Sequence, residues 1–129
     1  MSAVLVDTHI ALWALGDPDR LSDAERELLI DPAIDRCLSP VSIWEAAIKR
    51  GAGRLRAPRG LAAILGAEFR LLELSAALLE AAAELPSHHS DPFDRVLIAH
   101  ALREDLLLMT RDHAFADYGV RDATATGSS

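Results

Sequence analysis

What most constrains this chain is an alternation: apolar runs too short to be helices are separated by longer stretches whose apolar residues recur at helical spacing. Ala3-Val4-Leu5-Val6 is the first such run, and Asp7-Thr8 closes it as a capping pair opening a helix that carries Ile10 to Leu15. Gly16-Asp17-Pro18 stops that helix, because glycine accepts the left-handed cap and proline disfavours helical geometry in the residue before it. Ser22-Asp23-Ala24-Glu25 has the form of a capping box, so the next helix is expected to run to about Ile30. Arg36 to Ser39, Arg70 to Leu74 and Leu106 to Met109 are further strand candidates. Between them, Val41 to Arg50, Gly60 to Gly66, Ser75 to Leu85 and Phe93 to Arg103 carry helical patterns, and a short helix is expected at Ala114 to Ala116. Asp91 is a natural N-cap with Pro92 at the first helical position. The apolar residues Val96, Leu97, Ala99, Ala101 and Leu102 do not form one clean stripe, which predicts a helix packed on both sides. Strands alternating with helices predict an α/β domain with a mostly parallel central sheet.

The length of 129 residues fits one domain, expected over 1–122, with the small and polar residues 123–129 as a frayed tail. Half of the residues are hydrophobic, enough apolar area to offset the conformational entropy lost on folding. No apolar run approaches the roughly eighteen residues that cross a bilayer, and the first residues lack the basic region of a signal peptide. A soluble cytoplasmic protein with no membrane partner is therefore expected. The single cysteine, Cys37, excludes an internal disulfide framework and a Cys-rich metal site, and reads as a small buried residue.

The acids carry the chemistry. Asp7 directly follows the first strand and Asp112 follows the last by three positions. Parallel strands put their carboxyl ends on one edge, where open sheets bind ligands. Glu45, flanked by Trp44 and Ala46, and Asp94, in a first helical turn, sit where an unpaired charge is costly unless it finds a cation. Four such carboxylates suit a hard divalent ion, Mg²⁺ or Mn²⁺, which prefers oxygen ligands and keeps several waters. The reaction this arrangement supports best is phosphodiester hydrolysis by water, with no covalent nucleophile. Thr8 and Thr110 are the nearest hydroxyls, each able to orient a water or to serve as a cap.

In order, Val4-Leu5-Val6-Asp7-Thr8-His9-Ile10-Ala11-Leu12-Trp13, Ser39-Pro40-Val41-Ser42-Ile43-Trp44-Glu45, Asp91-Pro92-Phe93-Asp94-Arg95 and Met109-Thr110-Arg111-Asp112 resemble the PIN-domain ribonucleases, and among them the VapC-like toxins of toxin-antitoxin modules. The likeness spans Val4 to about Tyr118. It implies a three-layer α/β/α domain whose acids Asp7, Glu45, Asp94 and Asp112 bind Mg²⁺ or Mn²⁺ and cut RNA, a cognate antitoxin that holds the enzyme inactive, and a homodimer. Asp91 lies beside the third acid as a supporting residue, and Thr110 matches the small polar residue before the fourth. One departure is that the chain after Val120 does not read as a clean final strand.

A net charge of -7 argues at first against a polyanionic partner, but one or two bound divalent cations neutralise the four proposed ligands wholly or partly, and leaving those four out brings the charge to -3, a modest residual repulsion. Lys49, Arg50, Arg54, Arg56 and Arg59 lie in a stretch without an acid, and are expected to meet the RNA backbone. His9, His88 and His89 lack a zinc-type partner at helical spacing and read as exposed or capping residues. Trp13 and Trp44, within apolar helical stretches, read as core or interface anchors. The helices Ser22 to Ile30 and Ser75 to Leu85 are the expected walls of a groove for an amphipathic antitoxin segment. Two other classes fit less well. A phosphoacceptor receiver domain needs paired acids after its first strand, whereas Asp7 precedes Thr8, and the sole lysine, Lys49, lies far from Asp112 in sequence. A PIN-like binding module without turnover gains nothing from mutually repelling carboxylates.

Overall fold

The strands other than the exposed pair Arg70–Leu71 bury residues on both faces, and that property sets the layering. The computed structural model describes residues 3–124. Its strands are β1 (Ala3–Val6), β2 (Asp35–Leu38), β3 (Arg70–Leu71) and β4 (Leu107–Met109), in the order β3-β2-β1-β4, with every pair parallel. The α-helices are α1 (Thr8–Gly16), α2 (Asp23–Ile30), α3 (Pro40–Gly51), α4 (Leu61–Glu68), α5 (Ala76–Ala83) and α6 (Pro92–Glu104), with 3-10 turns at Pro18–Arg20 and His113–Tyr118. Side chains alternate along a strand. Val4, Val6, Leu38 and Met109 therefore join one cluster with Ile10, Leu29 and Leu65 of α1, α2 and α4, while Leu5, Cys37 and Leu108 join the other with α5 and α6. This is the expected three-layer α/β/α arrangement.

The registers place Leu5 between Cys37 and Leu108, so β1 is the central strand of the fully buried stretch. α6 packs on both sides as its pattern predicts: Val96 to Ala101 are six consecutive buried residues, in contact with strand residues and with Leu78 and Ala82 of α5. The capping box at Ser22 and Glu25 forms in full, and Asp91 caps α6 with Pro92 in its first turn. Buried His100 of α6 hydrogen bonds through Nε2 to Ser39 Oγ at 2.8 Å, and the same Oγ accepts Val41 N at the start of α3. The two helices that carry Glu45 and Asp94 are thereby tied together.

Three expectations change. The strand expected over Arg70 to Leu74 is reduced to two exposed edge residues; Leu72 N still donates to Leu38 O at 3.0 Å before the chain turns to the Ser75 cap of α5. Trp44 is no core residue: it is 62% exposed, because α3 buries Val41, Ser42, Glu45 and Ala46 and leaves Trp44 and Ile48 outward, with the Trp44 ring edge-on to Phe93 at 5.3 Å. After Val120, Asp122 forms a parallel bridge to Leu108, and Ala123 N donates to Leu108 O at 2.9 Å. Of the tail expected over 123–129, residues 125–129 lie outside the described residues. No helix among the described residues is long and apolar enough to cross a membrane.

Candidate active site

From β1 the chain first builds outward through β2 to β3, then returns across the sheet to place β4 on the other side of β1. The strand order thus reverses between β1 and β4, and a crevice opens at their carboxyl ends. Asp7 and the segment Thr110 to Asp112 leave the two strands at this point. Asp7 caps α1, with Oδ1 accepting His9 N at 3.1 Å, and its own amide continues the ladder to Met109 O at 2.9 Å. Thr110 Oγ1 donates to Asp7 Oδ2 at 2.7 Å and accepts Asp112 N at 3.1 Å, so one hydroxyl fixes both strand-end acids. Asp112 Oδ1 accepts Ala114 N at 2.9 Å and caps the following 3-10 turn. Asp94 enters from the first turn of α6, beside Asp91, whose Oδ1 accepts Phe93 N at 2.9 Å. Glu45, on the buried face of α3, accepts from Lys49 Nζ at 2.8 Å, one helical turn on.

All four expected acids, with Asp91, line one cleft of about 420 Å³ whose other walls are His9, Ile10, Trp13, Lys49 and Arg111. Burial drives the Asp7 carboxyl upward, but the His9 ring, the Thr110 hydroxyl and the His9 amide outweigh it and hold Asp7 below the usual carboxylate range. Asp94 goes the other way: burial, then the charges of Asp91 and Asp7, push it up to about 7.

The remaining expected residues divide. Thr110 and Asp91 stand at the cleft, whereas the Thr8 hydroxyl donates to Ser42 Oγ at 2.7 Å and joins α1 to α3 instead. Lys49 turns into the cleft as the partner of Glu45, the cation that acid required, and Arg50 Nη1 donates to Pro58 O at 2.7 Å. Arg54, Arg56 and Arg59 are exposed on the segment after α3.

Three side chains bound to this region were not among the expected site residues. The imidazole of His89 is 3.0 Å from Asp112 Oδ2 and 3.1 Å from Asp94 Oδ2, so the expectation of an exposed or capping histidine fails here. These three ligand-type atoms lie within 4.8 Å of one another. Arg95, next to Asp94, donates to five carbonyls, those of Ala82, Ala83, Leu85, Pro86 and His89, at 2.7 to 3.1 Å. Arg111, next to Asp112, holds Glu25 through Nε at 2.9 Å and Nη2 at 2.7 Å, reaches Arg20 O at 2.6 Å, and lies 4.6 Å over the Trp13 ring. That fork holds the Glu25 carboxyl below its ordinary range. Adjacency to a proposed acid was the available signal for both arginines. His89 carried no comparable mark.

A parallel sheet with carboxylates gathered at its switch point defines an α/β domain with an acidic, cation-seeking cleft. Residues 4–120 match the PIN domain, and the chain belongs to that family. Ribonuclease VapC22 of Mycobacterium tuberculosis is 28% identical over 116 residues, covering 87% of this chain and 88% of that protein. Two crystal structures are similar in fold. VapBC2 from Rickettsia felis bound to a DNA fragment from their promoter has a TM-score of 0.67 at 15% identity, over 93% of this chain and 96% of that one. FitAcB from Neisseria gonorrhoeae has a TM-score of 0.59 at 18% identity, over 92% of this chain and 95% of that one. The resemblance to VapC-like proteins read from the four sequence motifs is borne out.

Proposed function

We propose that this protein is a divalent-metal-dependent ribonuclease that acts as the toxin of a toxin-antitoxin module. The observation that carries the reading is the convergence of Asp7, Glu45, Asp94 and Asp112, from four separate segments, on one cleft where only Glu45 has a lysine partner. The donor set fits a hard cation: it is made of carboxylate oxygens, and burial with the neighbouring charges of Asp91 and Asp7 already pushes the Asp94 carboxyl up to about 7, a cost that a bound cation relieves. Asp7, Asp94 and Asp112, with Glu45 behind them, are the residues that would hold Mg²⁺ or Mn²⁺. Such an ion, when bound, polarises a phosphoryl oxygen, acidifies a water and neutralises the leaving oxygen. The chain's own residues do the positioning. Thr110 fixes the spacing of Asp7 and Asp112, and Lys49 limits the repulsion Glu45 adds to the cleft.

The test is sequencing of RNA ends generated by the purified protein with Mg²⁺, with Mn²⁺ and with chelator. New ends that require metal are the expected result. Identical ends in chelator, or none over a wide RNA panel, overturn the reading.

The exposed Arg54, Arg56 and Arg59 are the part of the basic segment free to meet phosphates, Lys49 and Arg50 having partners within the fold. Reversing charge at Arg54 and Arg56 is expected to weaken RNA binding about tenfold at moderate salt and to lower the slope of log affinity against log salt by about 2. Binding titrations at several salt concentrations measure it, and an unchanged slope removes the RNA role.

A cognate antitoxin completes the reading, supported by the likeness to VapC-like proteins. The surface that suits an amphipathic segment is a largely apolar cavity of about 510 Å³ walled by Ala11, Ala14, Leu29, Phe69 and the 72% exposed Ile30, with Arg26, Arg36 and Glu68 also lining it. α2 lines this cavity through Arg26, Leu29 and Ile30, while α5, the other expected wall, does not line it and leaves Leu79 exposed elsewhere.

A further inference from the structure

His89 sits in a loop, yet every polar group it owns is engaged. Its amide donates to Tyr118 Oη at 2.7 Å and its carbonyl accepts Arg95 Nη1 at 3.0 Å. Its ring meets Phe115 edge-on at 5.8 Å, and its side chain is only 16% exposed. Nδ1 accepts Asp91 N at 3.3 Å, and Nε2 faces the Asp94 and Asp112 carboxylates. A neutral imidazole carries one N–H. The amide of Asp91 points its hydrogen at Nδ1, so that nitrogen must present its lone pair and the ring hydrogen belongs on Nε2.

From this we infer that His89 is a positioning residue: its Nε2–H bridges Asp94 and Asp112, holds the two carboxylates together where both would reach one divalent ion, and does not itself ligate that ion. The inference rests on the metal-dependent reading proposed above. Three ligand-type atoms within 4.8 Å resemble a His-Asp-Asp metal triad. A ligating Nε2, however, requires the hydrogen to move to Nδ1, where it opposes the Asp91 amide at the N-cap of α6. The hydrogen-bonded geometry therefore favours two carboxylate ligands held by a donor over a triad. Nearby groups that orient metal ligands commonly change affinity by about 10- to 100-fold when removed.

The test compares the wild type with His89→Ala and His89→Gln. Alanine leaves both backbone bonds of the loop available and removes only the ring; the glutamine amide restores an N–H donor at a similar reach. Calorimetric titration with Mn²⁺ is expected to show about 10- to 100-fold weaker binding by His89→Ala, with most of the loss recovered in His89→Gln. Pulsed electron paramagnetic resonance of Mn²⁺ on the wild type is expected to show no directly coordinated imidazole nitrogen. A directly coordinated nitrogen, or wild-type affinity in His89→Ala, overturns the inference while leaving the metal-dependent reading intact. Absence of Mn²⁺ binding by the wild type overturns both.

Discussion

Replacing Asp94 with asparagine is expected to lower metal-dependent RNA cleavage by about three orders of magnitude or more, and to make the metal-free protein more stable at pH 8. The two effects have one cause. Asp94 is the acid whose surroundings most disfavour its charge: burial, Asp91 and Asp7 push its carboxyl up to about 7, from an ordinary value of 3.8. A group whose folded-state pKa is raised contributes stability that is full below its unfolded pKa and is lost as pH rises through the folded value. In chelator the wild type should therefore weaken between about pH 4 and pH 7, whereas the asparagine variant, having nothing to ionise there, should lack this component. At 1.36 kcal/mol per pK unit the ceiling is about 4 kcal/mol, and relaxation of the cleft brings the expected gain to roughly 2 kcal/mol at pH 8. The same linkage works on metal binding. A ligand must release its proton, so Mn²⁺ binding by the wild type at pH 6 should release a proton and weaken as pH falls, and asparagine should remove that dependence. Denaturant unfolding in chelator at pH 5 and pH 8, beside cleavage assays in Mg²⁺, checks all of this. Cleavage by the variant at the wild-type rate would contradict the site, and equal stabilities at pH 8 would contradict the electrostatic account.

How much of this was legible beforehand depended on whether the signal is local. Caps are local: the Ser22 and Glu25 box and the Asp91-Pro92 start depend on neighbours a few residues away and form as read, and α1 stops at Gly16 as expected, although Asp17 rather than a left-handed Gly16 is its cap. The strand-end positions of Asp7 and Asp112 are equally local, whereas Glu45 and Asp94 were singled out by their helical surroundings and by the resemblance of their motifs. α3 shows where periodicity misleads. It buries Ser42 and Glu45, the former through the Thr8 hydroxyl and the latter through Lys49, so polarity no longer marks the outward face, and of the two readings of Trp44, core or interface anchor, the core one fails. The Glu45–Lys49 pair itself was readable, since residues four apart share a helix face. His89 was beyond reach for a different reason. His88 and His89 are adjacent in the same polar loop, and only the folded paths of Tyr118 and Arg95, each binding the His89 backbone, turn one ring and not the other between two carboxylates.

Arg95 is expected to be the residue outside the carboxylate cluster whose loss costs most. Its guanidinium donates to the Ala82 and Ala83 carbonyls at the end of α5 and to those of Leu85, Pro86 and His89 beyond it. The last carbonyls of a helix have no intrahelical partner and carry the negative end of its dipole, so a cation placed among them satisfies both needs. Arg95→Ala removes all five bonds, and the Ala82, Leu85 and His89 acceptors are left partly buried while those of Ala83 and Pro86 are exposed to water. Charge-assisted bonds are worth about 1.5 to 3 kcal/mol singly, but water replaces some of them and they are not additive, so the expected loss is about 3 to 5 kcal/mol. Lysine should recover little, because a compact ammonium with three donors cannot span five carbonyls as the planar fork does. Activity should fall beyond what unfolding explains, since the His89 carbonyl loses its anchor and the contact to Asp94 and Asp112 loosens. Urea unfolding of the alanine and lysine variants measures the first effect, and hydrogen exchange should show α5 amides losing protection before those of β1 and β4. A destabilisation below about 1 kcal/mol, or α5 protection unchanged, would show that the α5 end is held by its packing on α6 and that the guanidinium only decorates it.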